Sequence, residues 1–140
     1  MRDKPQVPDQ FVERLRSICL EFPETVQEPA WIGIRWRIRG KTFGHVAAID
    51  DGWPPAYVRA AGTAGPACVL TFESSGGELE VLSLAEHPFF KPPWRLTVIG
   101  LFIDEHSDWD EIAELLTESY CLLAPKRLAA LVVRPDPLDP

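Results

Sequence analysis

The sequence predicts an α+β domain, a curved antiparallel sheet with helices packed on one face. Three observations carry this. Residues 31–39 alternate apolar and basic side chains with period two, the mark of a half-buried strand. Apolar residues recur at helical spacing near both ends of the chain, at Phe11, Leu15, Ile18 and Phe22 and again at Trp109, Ile112, Leu116, Tyr120 and Leu123. Between these helices lie short apolar runs, and the brief link at Gly40 makes an antiparallel hairpin the simplest connection.

In order, the first helix has Asp9 as its cap and Pro23 as its stop. The following PETVQEPA reads as a polar connection. Residues 31–39 form a strand with Ile32, Ile34, Trp36 and Ile38 inward, and Thr42 to Ile49 returns as its hairpin partner. Residues 50–66 are rich in Pro, Gly and Ala, with Ala56 to Ala61 as a candidate edge strand. Ala67 to Glu73 is a strand closed by the Ser74–Gly77 turn, and Glu78 to Ala85 a short helix. The loop EHPFFKPPW is too rich in proline to hold regular structure for long, and Arg95 to Ile103 forms the final strand. Ser107 is placed to cap the last helix, with Asp110 at the capping-box position. Pro125 interrupts that helix, Lys126 to Val133 adds a short piece, and the tail 134–140 is expected to fray. No linker divides the chain, so residues 1–140 are read as one domain with a core of about 9–133.

Composition excludes several classes of protein. With 46% hydrophobic and 25% charged residues, 140 residues suffice for a packed core, and wholesale disorder is excluded. The net charge of −7 repels phosphate in general, so a nucleic-acid role requires a local basic patch. Cys19, Cys68 and Cys121 are odd in number, unclustered and set among apolar neighbours, as expected of reduced, buried thiols rather than a disulfide framework or structural zinc. MRDKPQVPDQ lacks the apolar core of a secretory signal, and no apolar run approaches the ~20 residues that span a bilayer. The expectation is a soluble, cytoplasmic protein with no membrane partner.

The search for chemistry removes more than it finds. Gly40-Lys41-Thr42 has the ending of a phosphate-binding loop, but Arg35 stands where that motif needs glycine, and a strand follows instead of a helix. His45, His87 and His106 are too far apart to suggest a metal site, and no serine-nucleophile elbow is present. The acids around Asp104 to Glu118 are explained by the N-terminal dipole of the last helix. The expectation is therefore a non-enzymatic protein without cofactor or metal. Two candidate surfaces remain. One is the row Arg35, Arg37, Arg39 and Lys41, recurring about every 7 Å along a strand. It is suited to phosphates, or more simply to a solvated sheet face whose cations pair with nearby acids. The other is the aromatic loop 87–94, with Phe89, Phe90 and Trp94 beside Trp53, a candidate ligand or protein interface.

The order of motifs resembles the MmcQ/YjbR family of small bacterial proteins. The matching pieces are Phe22-Pro23-Glu24, Glu28, Arg39-Gly40-Lys41-Thr42-Phe43-Gly44, Phe89-Phe90 and Pro92-Pro93-Trp94. Asp108 to Glu111, Glu118-Ser119-Tyr120 and Leu123 to Leu128 complete the set, so the likeness runs from the first helix to Val133. The resemblance implies a CyaY-like (frataxin-like) fold and a family label of double-wing DNA-binding protein. It brings no catalytic residues. Gly40, Lys41 and Phe43 match the family's hairpin, and Lys126 and Arg127 its basic C-terminal turn. The DNA reading thus has Arg35, Arg37, Arg39, Lys41, Lys126 and Arg127 as candidate contacts. Its alternative is a small-ligand or protein-interaction module built on the aromatic loop.

Overall fold

The alternating stretch is shorter as a strand than its pattern suggests, because Gly33 turns the chain inside it. In the computed structural model, which describes residues 3–134, β1 (Val26–Pro29) and β2 (Ile34–Ile38) form an antiparallel hairpin joined by residues 30–33. Gly33 has φ +68°, and a Cβ there would lie 1.8 Å from the carbonyl oxygen of Val46, so no other residue fits without moving β3. The polar connection of the sequence reading is thus an edge strand plus a tight turn. Its residues alternate too weakly to announce a strand.

β2 turns into β3 (Lys41–Ile49) through Arg39 and Gly40, both at positive φ (50° and 78°), the geometry of a two-residue hairpin turn. Arg39 therefore belongs to the turn and not to the strand face. The β2–β3 register pairs Trp36 with Gly44 but Arg37 with Thr42, leaving Phe43 as the extra residue of a bulge. β4 (Ala67–Glu73), β6 (Val98–Ile103) and the short β5 (Phe89–Phe90) complete one antiparallel sheet in the order β1-β2-β3-β4-β6-β5.

α1 (Asp9–Cys19) and α4 (Trp109–Leu123) cover one face. Trp36, Val46, Leu70, Phe72, Ile99 and Leu101 point into that core and meet Leu15, Ile112, Leu116 and Tyr120. Gly44 lets α4 approach closely, since a Cβ there would sit 3.1 Å from Leu116 Cδ2. α1 and α4 also touch each other, with Phe11 stacked on Trp109 and the Arg14 guanidinium over the same indole. Cys19 and Cys68 are buried and Cys121 is half-buried, all as free thiols.

Several local expectations need correction. Residues 56–61 are not a strand: α2 (Pro55–Ala61) starts at a proline suited to a first helical turn and ends at the left-handed Gly62. α2 packs Tyr57 and Val58 against Ile49, Val69 and Phe90 on the second sheet face, so the helical cover is not confined to one side. α3 (Gly76–Ser83) begins two residues before Glu78 and ends before Ala85. The proline-rich loop holds regular structure for two residues only, where Phe89 and Phe90, between Pro88 and Pro92, pair with Leu101 and Gly100. β6 starts only at Val98. α1 is preceded by Pro8 with no side-chain cap, and Asp9 lies in its first turn instead. α4 is capped by Asp108, which accepts a 3.1 Å hydrogen bond from the Glu111 amide. Ser107 Oγ is occupied elsewhere, accepting from the Asp104 amide at 2.8 Å. α5 is a single turn, Lys126–Ala129. The tail expected to fray lies, beyond Arg134, outside the described residues. Among those described, no helix is long and apolar enough to cross a membrane.

Candidate functional site

The register of β1 against β2 decides the fate of the basic row. Glu28 stands directly opposite Arg35, with Arg37 one step away on the same face. Its Oε1 accepts from Arg35 Nε at 2.7 Å and from Arg37 Nη1 at 3.0 Å. Arg37 also donates to the Gly40 carbonyl and so ties the hairpin turn to its own strand. Hydrogen bonds from Arg37 and then Arg35 hold the Glu28 carboxyl below its ordinary range, so it stays ionised and the pairing persists. Arg39 forks onto Glu24, with Nε to Oε1 at 2.7 Å and Nη2 to Oε2 at 3.2 Å. That bidentate pair lowers the Glu24 carboxyl in the same way.

The six candidate phosphate contacts therefore do not form one surface. Arg35 and Arg37 lie on the sheet face and share one acid. Arg39 sits in the turn, where its partner Glu24 also feels Arg127 of α5. Lys41 and Lys126 are exposed and carry no ion pair among the described residues. The turn is held to the core through the motifs that carry the family resemblance. Phe22, Phe43 and Tyr120 pack ring to ring at centroid distances of 5.0–5.8 Å, and Tyr120 Oη donates to the Pro23 carbonyl at 2.7 Å.

The four aromatic candidates also separate. Phe90 is buried, its ring lying so flat on β6 that a Cβ at Gly100 would meet it at 2.2 Å. Phe89 packs against the main core from the other side. Trp94 and Trp53 instead belong to an arc that sequence reasoning missed, organised by His45 on β3. His45 Nε2 lies 2.7 Å from the Ile32 carbonyl, and Tyr57 Oη lies 3.2 Å from Nδ1. The carbonyl can only accept, so Nε2 carries the proton and Nδ1 accepts from the tyrosine. Burial raises the Tyr57 hydroxyl to about 12, which keeps it a donor. Trp94 packs on Tyr57 at 5.0 Å, and Trp31, next to Ile32, packs on Trp53 at 5.4 Å. Trp31 remains 64% exposed and Trp94 41%. Arg35 pairs across the ladder with His45, so the arginine–glutamate cluster borders this arc. The only sequence signal for the hub was one histidine in an apolar strand.

His45 gives a pH dependence with a definite sign. Burial, aided by Arg35, lowers its folded pKa, against the opposing bond to Ile32. The unfolded histidine titrates near 6.5, so below that pH the unfolded chain binds more protons than the folded one. This part of the stability is intact above about pH 6.5 and falls as pH drops toward the lower folded value. Urea midpoints measured from about pH 7.5 down to about pH 5 are expected to fall, with a shallower fall in His45→Gln. Equal slopes in both proteins would show that His45 is not the sensor.

A sequence model of the YjbR family matches residues 20–122 of this chain. The match spans β1 through nearly all of α4, and thus both the arginine–glutamate cluster and the His45 arc. No curated protein matches the chain.

Proposed function

The chain belongs to the YjbR family, and from that premise we propose that it is a non-enzymatic binding module that seats a protein partner on the aromatic arc from Trp94 through Tyr57 and His45 to Trp31 and Trp53. The observation that carries this reading is a contrast between the two candidate surfaces. Arg35, Arg37 and Arg39 already have acids within hydrogen-bonding distance, whereas Trp31 and Trp94 hold large rings in solvent. Scattered exposed apolar residues are ordinary, but these two are joined through ring contacts and the bonds of one histidine. Tryptophan, tyrosine and arginine are enriched among the side chains that dominate interface energetics, and the two aromatic ones bury much area at little entropic cost. The Glu28 pair would supply a polar rim.

A nucleic-acid contact is the second reading, and it rests on different residues. Glu24 gathers Arg39 and Arg127 at the hairpin turn, near Lys41 and Lys126, which carry no ion pair among the described residues. A photo-crosslinking amino acid placed in turn at Trp31, Trp94 and Lys41, in the producing cells, separates the two. Discrete protein adducts from the first two positions and no nucleic-acid adduct from the third are expected. Nucleic-acid adducts from Lys41, with nothing from the arc, would replace this reading with the second.

A further inference from the structure

At the opposite end of the sheet from the hairpin turn, the strand ends and the N-terminal segment line an open cleft of about 330 Å³. That is the lower end of the range for small-molecule sites. Its floor is apolar and well packed: Phe11, Ala48, Cys68 and Ile103 are each no more than 9% exposed. Burial raises the Cys68 thiol to about 11, so this sulfur stays neutral and part of the apolar floor. Pro5 and Pro8 on one side and Pro66 on the other supply walls of low conformational freedom. Two carboxylates stand at the rim. Asp50 follows the last residue of β3 and Asp104 the last of β6, with β4 between them, which sets their backbones roughly 10 Å apart. Asp104 Oδ1 accepts from the His106 amide, and neither acid is in an ion pair among the described residues. Among the described residues, no lysine, arginine or histidine lines the cleft.

From this geometry we infer that the cleft is a binding site for a small organic cation, an amine with an apolar body. The body lies on Phe11, Cys68 and Ile103, while the ammonium group meets Asp50 and Asp104 at the mouth. An anionic ligand of the same size would meet two uncompensated carboxylates, and a neutral one would leave them unused. The inference is independent of the aromatic arc, which uses neither the same residues nor the same charge.

The probe is phenethylammonium, titrated into the intact protein with the methyl resonances of Ile103 as reporters and phenylacetate as the anionic control. Shifts of these methyls that saturate at millimolar amine, with none from phenylacetate, are expected. Asp50→Asn combined with Asp104→Asn should weaken amine binding roughly five- to tenfold, as expected of two partly exposed ion pairs. Because the rim acids are exposed, this variant should keep the parent's melting temperature. Cys68→Phe, which fills the cavity, should abolish the shifts. Shifts of equal size from phenylacetate, or an amine response unchanged in the double variant, would overturn the assignment.

Discussion

Ser119→Ala is expected to destabilise the protein by about 2–4 kcal/mol, a large share of the ~5–15 kcal/mol that holds a domain of this size together. Ser119 is fully buried on the inner face of α4. Its hydroxyl donates to the Phe43 carbonyl at 2.6 Å and accepts from the Glu73 amide at 2.9 Å. Phe43 is the bulged residue of β3, and Glu73 is the last residue of β4. Alanine would strand one buried acceptor and one buried donor at once, and each orphaned group costs about 1–3 kcal/mol. Thr117→Ala is the internal control. Its hydroxyl donates at 2.6 Å to the Ala113 carbonyl within the same helix, so its loss should cost well under ~1 kcal/mol. Chemical denaturation of both variants gives the comparison. Similar losses at the two sites would mean that the bridge to the bulge contributes nothing special.

Releasing the arginines should create a nucleic-acid affinity that the parent lacks. In a protein with Glu24→Gln and Glu28→Gln together, Arg35, Arg37 and Arg39 lose their acids and the net negative charge falls by two. Binding to a fluorescein-labelled duplex at low salt is expected to tighten at least ~10-fold. The plot of log affinity against log salt should steepen by about 0.9 for each phosphate newly contacted. Anisotropy titrations at several salt concentrations measure both quantities. Should the parent bind as tightly and with the same slope, the ion pairs are not what silences the row, and the nucleic-acid reading takes precedence over the protein-docking one.

Much of this molecule was legible in one dimension. The period-two run placed Trp36 and Ile38 inward, and both are fully buried. The helical stripes at Phe11 and Leu15 and at Ile112, Leu116 and Tyr120 do form the cover of the sheet. The misreadings fall where the signal is not periodic. VQEP has no alternation to reveal an edge strand, and a proline-led segment of alanines is compatible with strand or helix until Ile49, Val69 and Phe90 give it an apolar face to cover. Ser107 and Asp108 are both good caps, and only the backbone direction at the turn chose between them.

The candidate site divides along the same line. Sequence alone determined the element types, the inward faces and the family, because periodicity and motif order are local properties of the chain. It could also pose the question of whether Arg35, Arg37 and Arg39 have acidic partners. Only the tertiary structure could answer it. Glu28 meets Arg35 through the register of a hairpin that Gly33 closes, and Glu24 meets Arg39 across fifteen residues. His45 joins Ile32 to Tyr57 from a strand between them, and Ser119 reaches a carbonyl freed by a bulge seventy-six residues away. Each of these pairings depends on register and bulge position, where a shift of one residue sends a side chain to the opposite face of the sheet.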